Sequence, residues 1–217
     1  MTSQTSGPRL DHGRHPERGS ADRALVDAIL DAERTCHVAF AVDGWPYAVP
    51  TIHARDGDRL LLHGSTLSRM LGTLAAGAPI CVTVTAVDGL VCARSVFNHS
   101  MNYRSAMVFG TASPIQGQDD KLAALRVIVE HVLPGRWSEV RIPKAAELKA
   151  TEVVAVPLDR ATTKVRSGGP VDTPADARTQ VWSGVVPIER RFADPVLVPA
   201  DVSDLPLPPS VRDLLEG

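Results

Sequence analysis

Aromatic residues are scarce: three Trp, two Tyr and four Phe make up 4% of the 217 residues. A protein that stacks single-stranded bases on aromatic rings would need more, so that class is excluded. Neither sign of charge is in excess, with 23 Lys and Arg against 25 Asp and Glu and a formal net charge of −2. Binding carried by phosphate contacts along a nucleic acid normally shows a basic surplus. Cys36, Cys81 and Cys92 are odd in number and lack C-x-x-C spacing, which argues against a disulfide framework or a zinc ribbon. No run approaches the roughly 18 apolar residues of a membrane span. Met1 to Ser20 is polar, unlike a secretory signal, so the expected compartment is the cytoplasm. Walker, Gly-x-Ser-x-Gly and His-Glu-x-x-His motifs are missing. So is the Gly-x-Gly-x-x-Gly fingerprint, which disfavours a Rossmann enzyme.

What is present suits a packed domain: 44% hydrophobic and 22% charged residues. At roughly 150 residues per domain, the length suggests one large domain with appended tails. Residues 1–19 read as a flexible N-terminal tail, 20–170 as the folded domain, and 171–217 as a Pro- and Gly-rich extension packed on the domain or on a partner. Ser20 reads as the N-cap of a helix over 21–33, with Leu25, Ala28, Ile29 and Ala32 at helical spacing. The period then changes. Residues 37–42, 45–54 and 59–62 read as a three-stranded meander turned at Asp43-Gly44 and Asp56-Gly57. A short helix over 68–76 ends at Gly77. Strands follow over 80–87, 90–96 and 103–112, with Asp88-Gly89 read as a turn. Asp119 and Asp120 open a helix whose apolar face is Leu122, Leu125, Ile128, Val129 and Val132, stopped at Pro134-Gly135. Residues 152–158 are the last clear strand, and a short helix is expected near 211–215. This order is an α+β pattern with an antiparallel barrel.

Three clusters carry chemistry. Leu61 to Arg69 joins a strand end at His63, a Gly64-Ser65 loop and Ser68-Arg69 at a helix start. Backbone amides, hydroxyls and a guanidinium converge there as a phosphate monoester requires; the alternative is a plain cap beside a solvated arginine. Asn98 to Ser105 concentrates polar and aromatic residues before an apolar strand, either a ligand-contacting rim or a polar loop. Trp182, in a Pro- and Gly-rich stretch, is either a lid or a plug at the domain edge. His53, His63 and His99 have no carboxylate or cysteine at motif spacing, so no metal site is expected.

In order, Pro50-Thr51, Leu61-Leu-His-Gly-Ser65, Ser68-Arg69, Asn102-Tyr-Arg-Ser105 with Val108-Phe-Gly110, and Val181-Trp-Ser-Gly184 resemble the pyridoxamine 5′-phosphate oxidase-like proteins. The similarity is greatest to the branch containing nitroimidazole-resistance proteins and spans residues 14–190. It implies a six-stranded antiparallel split β-barrel with flanking helices, binding FMN and working as a homodimer with flavins at the interface. Pro50 and Thr51 fall among the implied cofactor-binding positions, and Leu62 and His63 line the flavin and its ribityl phosphate. Gly64, Ser65, Ser68 and Arg69 form the implied phosphate site, with Met70 where the family has a lysine. His63 or Lys164 then supplies the missing cation. Tyr103, Arg104 and Ser105 approach the flavin across the dimer, and Trp182 packs beside it. In the resistance branch the position of His63 is a functional histidine, which makes it the candidate catalytic residue.

One departure weighs against the family's named reaction. True pyridoxamine-phosphate oxidases follow that tryptophan with Arg-Leu-His to hold the substrate phosphate; here the chain reads Val185-Val-Pro-Ile188. The expected function is therefore an FMN-dependent oxidoreductase acting on a small substrate, nitroaromatics included. The alternatives are a barrel that only sequesters haem or another flat ligand, and a deazaflavin-dependent reductase.

Overall fold

The computed structural model describes residues 7–196 and 205–216. Helix α1, Arg23–Ala32, is capped by Asp22, whose carboxylate accepts from the Ala24 amide at 3.0 Å. The cap expected at Ser20 is displaced because Ser20 belongs to a two-residue strand, β1 (Gly19–Ser20). The meander follows as β2 (Thr35–Val42), β3 (Trp45–Asp56) and β4 (Arg59–Ser65). Asp43 and Gly44 both take positive φ, 51° and 79°, the backbone that matches a two-residue hairpin to the strand twist. Helix α2 (Arg69–Ala75) leads into β5 (Pro79–Cys92) and β6 (Ser100–Thr111). Asp88-Gly89 is not a turn. The pairing of β5 with β6 runs past it, with a register shift between Val87 and Gly89, so the turn-like dipeptide makes a bulge within one 14-residue strand.

The rest of the chain adds β7 (Ser113–Pro114), α3 (Gln118–Val132), α4 (Ala145–Ala150), β8 (Thr151–Pro157), β9 (Ala161–Arg166), β10 (Gly184–Pro187) and α5 (Pro209–Glu216). All pairs are antiparallel, in the order β1-β9-β6-β5-β2-β3-β4-β8-β7, with β10 added to β5. The architecture is the α+β antiparallel split barrel. Among the described residues ten strands stand where six were expected: β1, β7 and β10 are additions of two to four residues, and β9 is the fourth. The split lies in β3, whose residues 45–52 pair with β2 while His53–Asp56 pairs with β4.

Two apolar cores result. Val38, Leu62, Val82, Ala106 and Val154 fill the barrel, and Leu61, Ile128 and Val153 bury one face of α3. Two segments near the ends of the chain are tied down. His12 Nε2 is 2.9 Å from the Thr163 carbonyl, and Ser210 at the start of α5 donates to Glu139. No helix among the described residues is long and apolar enough to cross a membrane.

The end of α1 is held by two imidazoles. His53 Nε2 meets the Leu30 carbonyl at 3.0 Å and His131 Nε2 meets the Glu33 carbonyl at 2.8 Å, with ring centroids 5.4 Å apart. His53 is fully buried and its Nδ1 has no partner. Desolvation therefore pushes its pKa from 6.5 down to about 4. A depressed histidine is neutral when folded but takes up a proton more readily when unfolded. Its contribution to stability is complete above about pH 6.5 and is lost as pH falls towards about 4, with a ceiling of about 3 kcal/mol. Urea melts across that window should show the decline. His53→Leu, less stable throughout, should show a shallower slope; an unchanged slope would remove His53 as its source.

Candidate functional site

The phosphate-type cluster sits where β4 meets α2. Ser65 ends the strand, and its hydroxyl oxygen accepts from the Leu67 amide at 3.1 Å. Ser68 caps α2 by accepting from the Leu71 amide at 3.4 Å. Both hydroxyls act there only as acceptors, so each O–H proton stays available to a ligand oxygen. Gly64 lets the helix close on the strand, since a Cβ at that position would lie 3.0 Å from a methyl of Leu71. Arg69 is exposed, 5.6 Å above the Tyr47 ring, with Nη1 3.4 Å from the Tyr47 hydroxyl. Tyr47 in turn stacks on Phe40 at 5.4 Å and 14°. No carboxylate lies within ion-pair reach of Arg69 among the described residues.

Met70 and Leu62, also expected in this cluster, turn into the core. Met70 is buried in the barrel core with Leu71 and Leu74, because the second position of α2 turns inward. Leu62 is wholly buried, leaving only its backbone to line a ligand. His63 is half-buried beside Val153 of β8, and its Nδ1 is buried without a partner. Burial holds this imidazole below its ordinary pKa. Pro50, exposed, stands opposite His37 on β2, and half-buried Thr51 stands opposite Cys36.

The second group lies on β6. Strand alternation puts Tyr103 and Ser105 on one face and Arg104 on the other. The Ser105 hydroxyl donates to the Lys164 carbonyl at 3.2 Å, and Lys164 Nζ donates to the Arg14 carbonyl at 3.2 Å. Arg104 forms two bonds of 2.9 and 3.0 Å to Asp88, holding that carboxyl below its usual range. Its charge is already matched.

Trp182 forms a third group. It is 66% exposed, and its ring closes over Gly184 so tightly that a Cβ there would stand 3.1 Å away. Within one chain, the candidates thus make three separate groups. His53 and His99 are bonded to the Leu30 and Ser95 carbonyls and do not join His63. The residue missed from the sequence is Tyr47. Its signal was the Phe40–Tyr47 pair flanking Asp43-Gly44 in a chain with few aromatics.

The comparisons agree with this architecture. The family described as pyridoxamine 5′-phosphate oxidase matches residues 22–165. The structure of a FAD and haem binding protein from Mycobacterium smegmatis is 40% identical, with a TM-score of 0.88 over 91% of this chain and 97% of that one. The flavocytochrome Anf3 from Azotobacter vinelandii is 36% identical, with a TM-score of 0.88 over 94% and 95%. A protein assigned to 5-nitroimidazole antibiotic resistance in Bacteroides thetaiotaomicron is 25% identical, with a TM-score of 0.56 over 68% and 86%. No curated protein matches the chain.

Proposed function

The chain belongs to the pyridoxamine 5′-phosphate oxidase family, and from that we propose that it is a flavin-dependent redox protein working as a homodimer. The observation that carries this reading is Arg69, a guanidinium stacked on Tyr47 and free of any described carboxylate, beside two serine hydroxyls with protons to donate. That set fits a flavin phosphate. Arg69 would neutralise it as a planar fork, and Ser65 and Ser68 would bond its remaining oxygens. His63 would stay neutral until an adjacent anion raised its pKa. When bound, the flavin supplies hydride and electron transfer, while the protein orients and shields it.

Pyridoxamine-phosphate oxidation itself is not proposed, since Val185 to Ile188 offers neither the cation nor the imidazole that reaction uses. A reductase of small substrates, nitroaromatics included, is the reading we favour. The dimer is supported by the separation of the candidate groups and by the sheet's outer face. There Ala39, Ala48, Thr83 and Thr85, with His37 opposite Thr83, present a surface of mostly small residues to a second copy.

A second reading adds haem, favoured by the 40% identity to a protein that binds FAD and haem and the 36% identity to a flavocytochrome. The first of these also makes FAD the rival to FMN. Visible spectra of the purified protein, with separate titrations of FMN, FAD and haem, decide among them. Flavin bands that bleach with NAD(P)H are expected. A protein that is colourless and binds neither flavin would sink the reading, and a Soret band on haem addition would establish the second one. Light scattering should give twice the chain mass.

A further inference from the structure

Away from the Arg69 cluster, the segment after β10 closes a cavity of about 490 Å³ against the end of α1, the start of β2 and the bulge of β5. Arg34, Arg104, Arg190 and Arg191 line it, together with Glu33 and Asp88. Both carboxylates are already paired. Arg104 holds Asp88 through two bonds, and Arg190 grips Glu33 with both terminal nitrogens, the Glu33 side chain being 6% exposed.

The other two guanidiniums are unmatched. Arg34 is fixed in place, with Nε donating to the Val132 carbonyl at 2.8 Å and its Cζ 5.1 Å from the centre of the Phe192 ring. Its terminal nitrogens make no hydrogen bond among the described residues. Arg191, exposed at the rim, has no described carboxylate within ion-pair reach. Four cations against two anions leave the cavity a formal charge of plus two, next to the apolar side chains of Val87 and Ile188.

We propose that this cavity binds a small molecule bearing a phosphate monoester dianion, with the free N–H groups of Arg34 and Arg191 on its oxygens and Val87 and Ile188 against its apolar body. Two unmatched guanidinium forks suit a tetrahedral dianion in charge and in geometry. The existing ion pairs keep the two nearby carboxylates from repelling it. Arg104 then serves as a wall of this cavity, its side chain lying on the strand face opposite Tyr103 and Ser105. The site uses neither Arg69 nor Lys164, so it stands whether or not the flavin reading does.

Phenyl phosphate and benzoate, titrated calorimetrically into the purified protein at low ionic strength, test it. Phenyl phosphate should bind saturably at one per chain and more tightly than benzoate. Arg191→Gln, at an exposed position without structural bonds, should weaken it on the order of tenfold, and Arg34→Gln at least as much. Arg126→Gln on the exposed side of α3 should change nothing. The proposal is overturned if phenyl phosphate shows no saturable binding, if benzoate binds as tightly, or if Arg191→Gln binds like the parent. It is equally overturned if the affinity is lost in Arg69→Gln instead, which would place the anion at the flavin cluster.

Discussion

Replacing Arg69 with alanine is expected to weaken flavin binding by about 1.5–3 kcal/mol, roughly 10- to 150-fold in Kd. The size of the effect follows from what surrounds the guanidinium. It has no described carboxylate partner, so its charge is not already spent within the protein. The Tyr47 ring and the Phe40 stack beneath it pre-position the fork without neutralising it. Its exposure means that little folding energy depends on it, so the variant should melt close to the parent. Arg69→Lys should recover part of the affinity, because it restores the charge but not the two-pronged geometry. Fluorescence titration with FMN and with FAD reads the loss directly. Unchanged affinity for both would put the phosphate elsewhere.

Arg166→Ala is expected to cost about 3 kcal/mol of stability and to release the chain that follows it. Arg166 is only 8% exposed. Its guanidinium donates to the Asn102 side-chain carbonyl and, at 3.3 and 3.1 Å, to the carbonyls of Gly168 and Gly169. Asn102, also buried, donates to Gly168 at 3.1 Å. Removing the arginine strands a buried amide oxygen and unties the start of residues 167–183, whose next anchor is the pair between Arg94 and Asp172 at 2.9 Å. Urea melts should show the lower midpoint, and limited proteolysis should cut first within 167–183. The double variant Arg166→Leu/Asn102→Leu should regain part of the loss, since the buried Asn102 amide is then gone and the carbonyls of Gly168 and Gly169, on exposed residues, can bond water. A double variant as unstable as Arg166→Ala would mean that packing, not hydrogen bonding, carries the effect.

Much of the fold is legible because it rests on local periods. The meander around Asp43-Gly44, the end of α2 at Gly77 and the apolar face of α3 are patterns among near neighbours. β9 escapes such a reading because its middle is Thr162-Thr163-Lys164. The two threonines are buried, with their hydroxyls bonded to the Ser20 carbonyl, a partner more than 140 positions away. Asp88-Gly89 carries the signature of a turn, yet the long pairing of β5 with β6 absorbs it as a bulge. Met70 shows a related limit of the sequence. Alignment with the family's lysine position is one-dimensional, whereas the helix turns that position into the core.

The scarcity of aromatics and the near-balance of charge are properties of the sequence, and with the hydrophobic periods they are enough to specify an α+β antiparallel barrel. They do not say which charges remain free. Asp88 and Arg104 are 16 residues apart, Arg69 and Tyr47 22, and Glu33 and Arg190 157. Whether a cation is neutralised depends on which strands the fold sets side by side, and ion pairing acts over a few ångströms of space whatever the distance along the chain. Only the folded arrangement leaves Arg69 parked on an aromatic ring while Arg104 is already paired with Asp88.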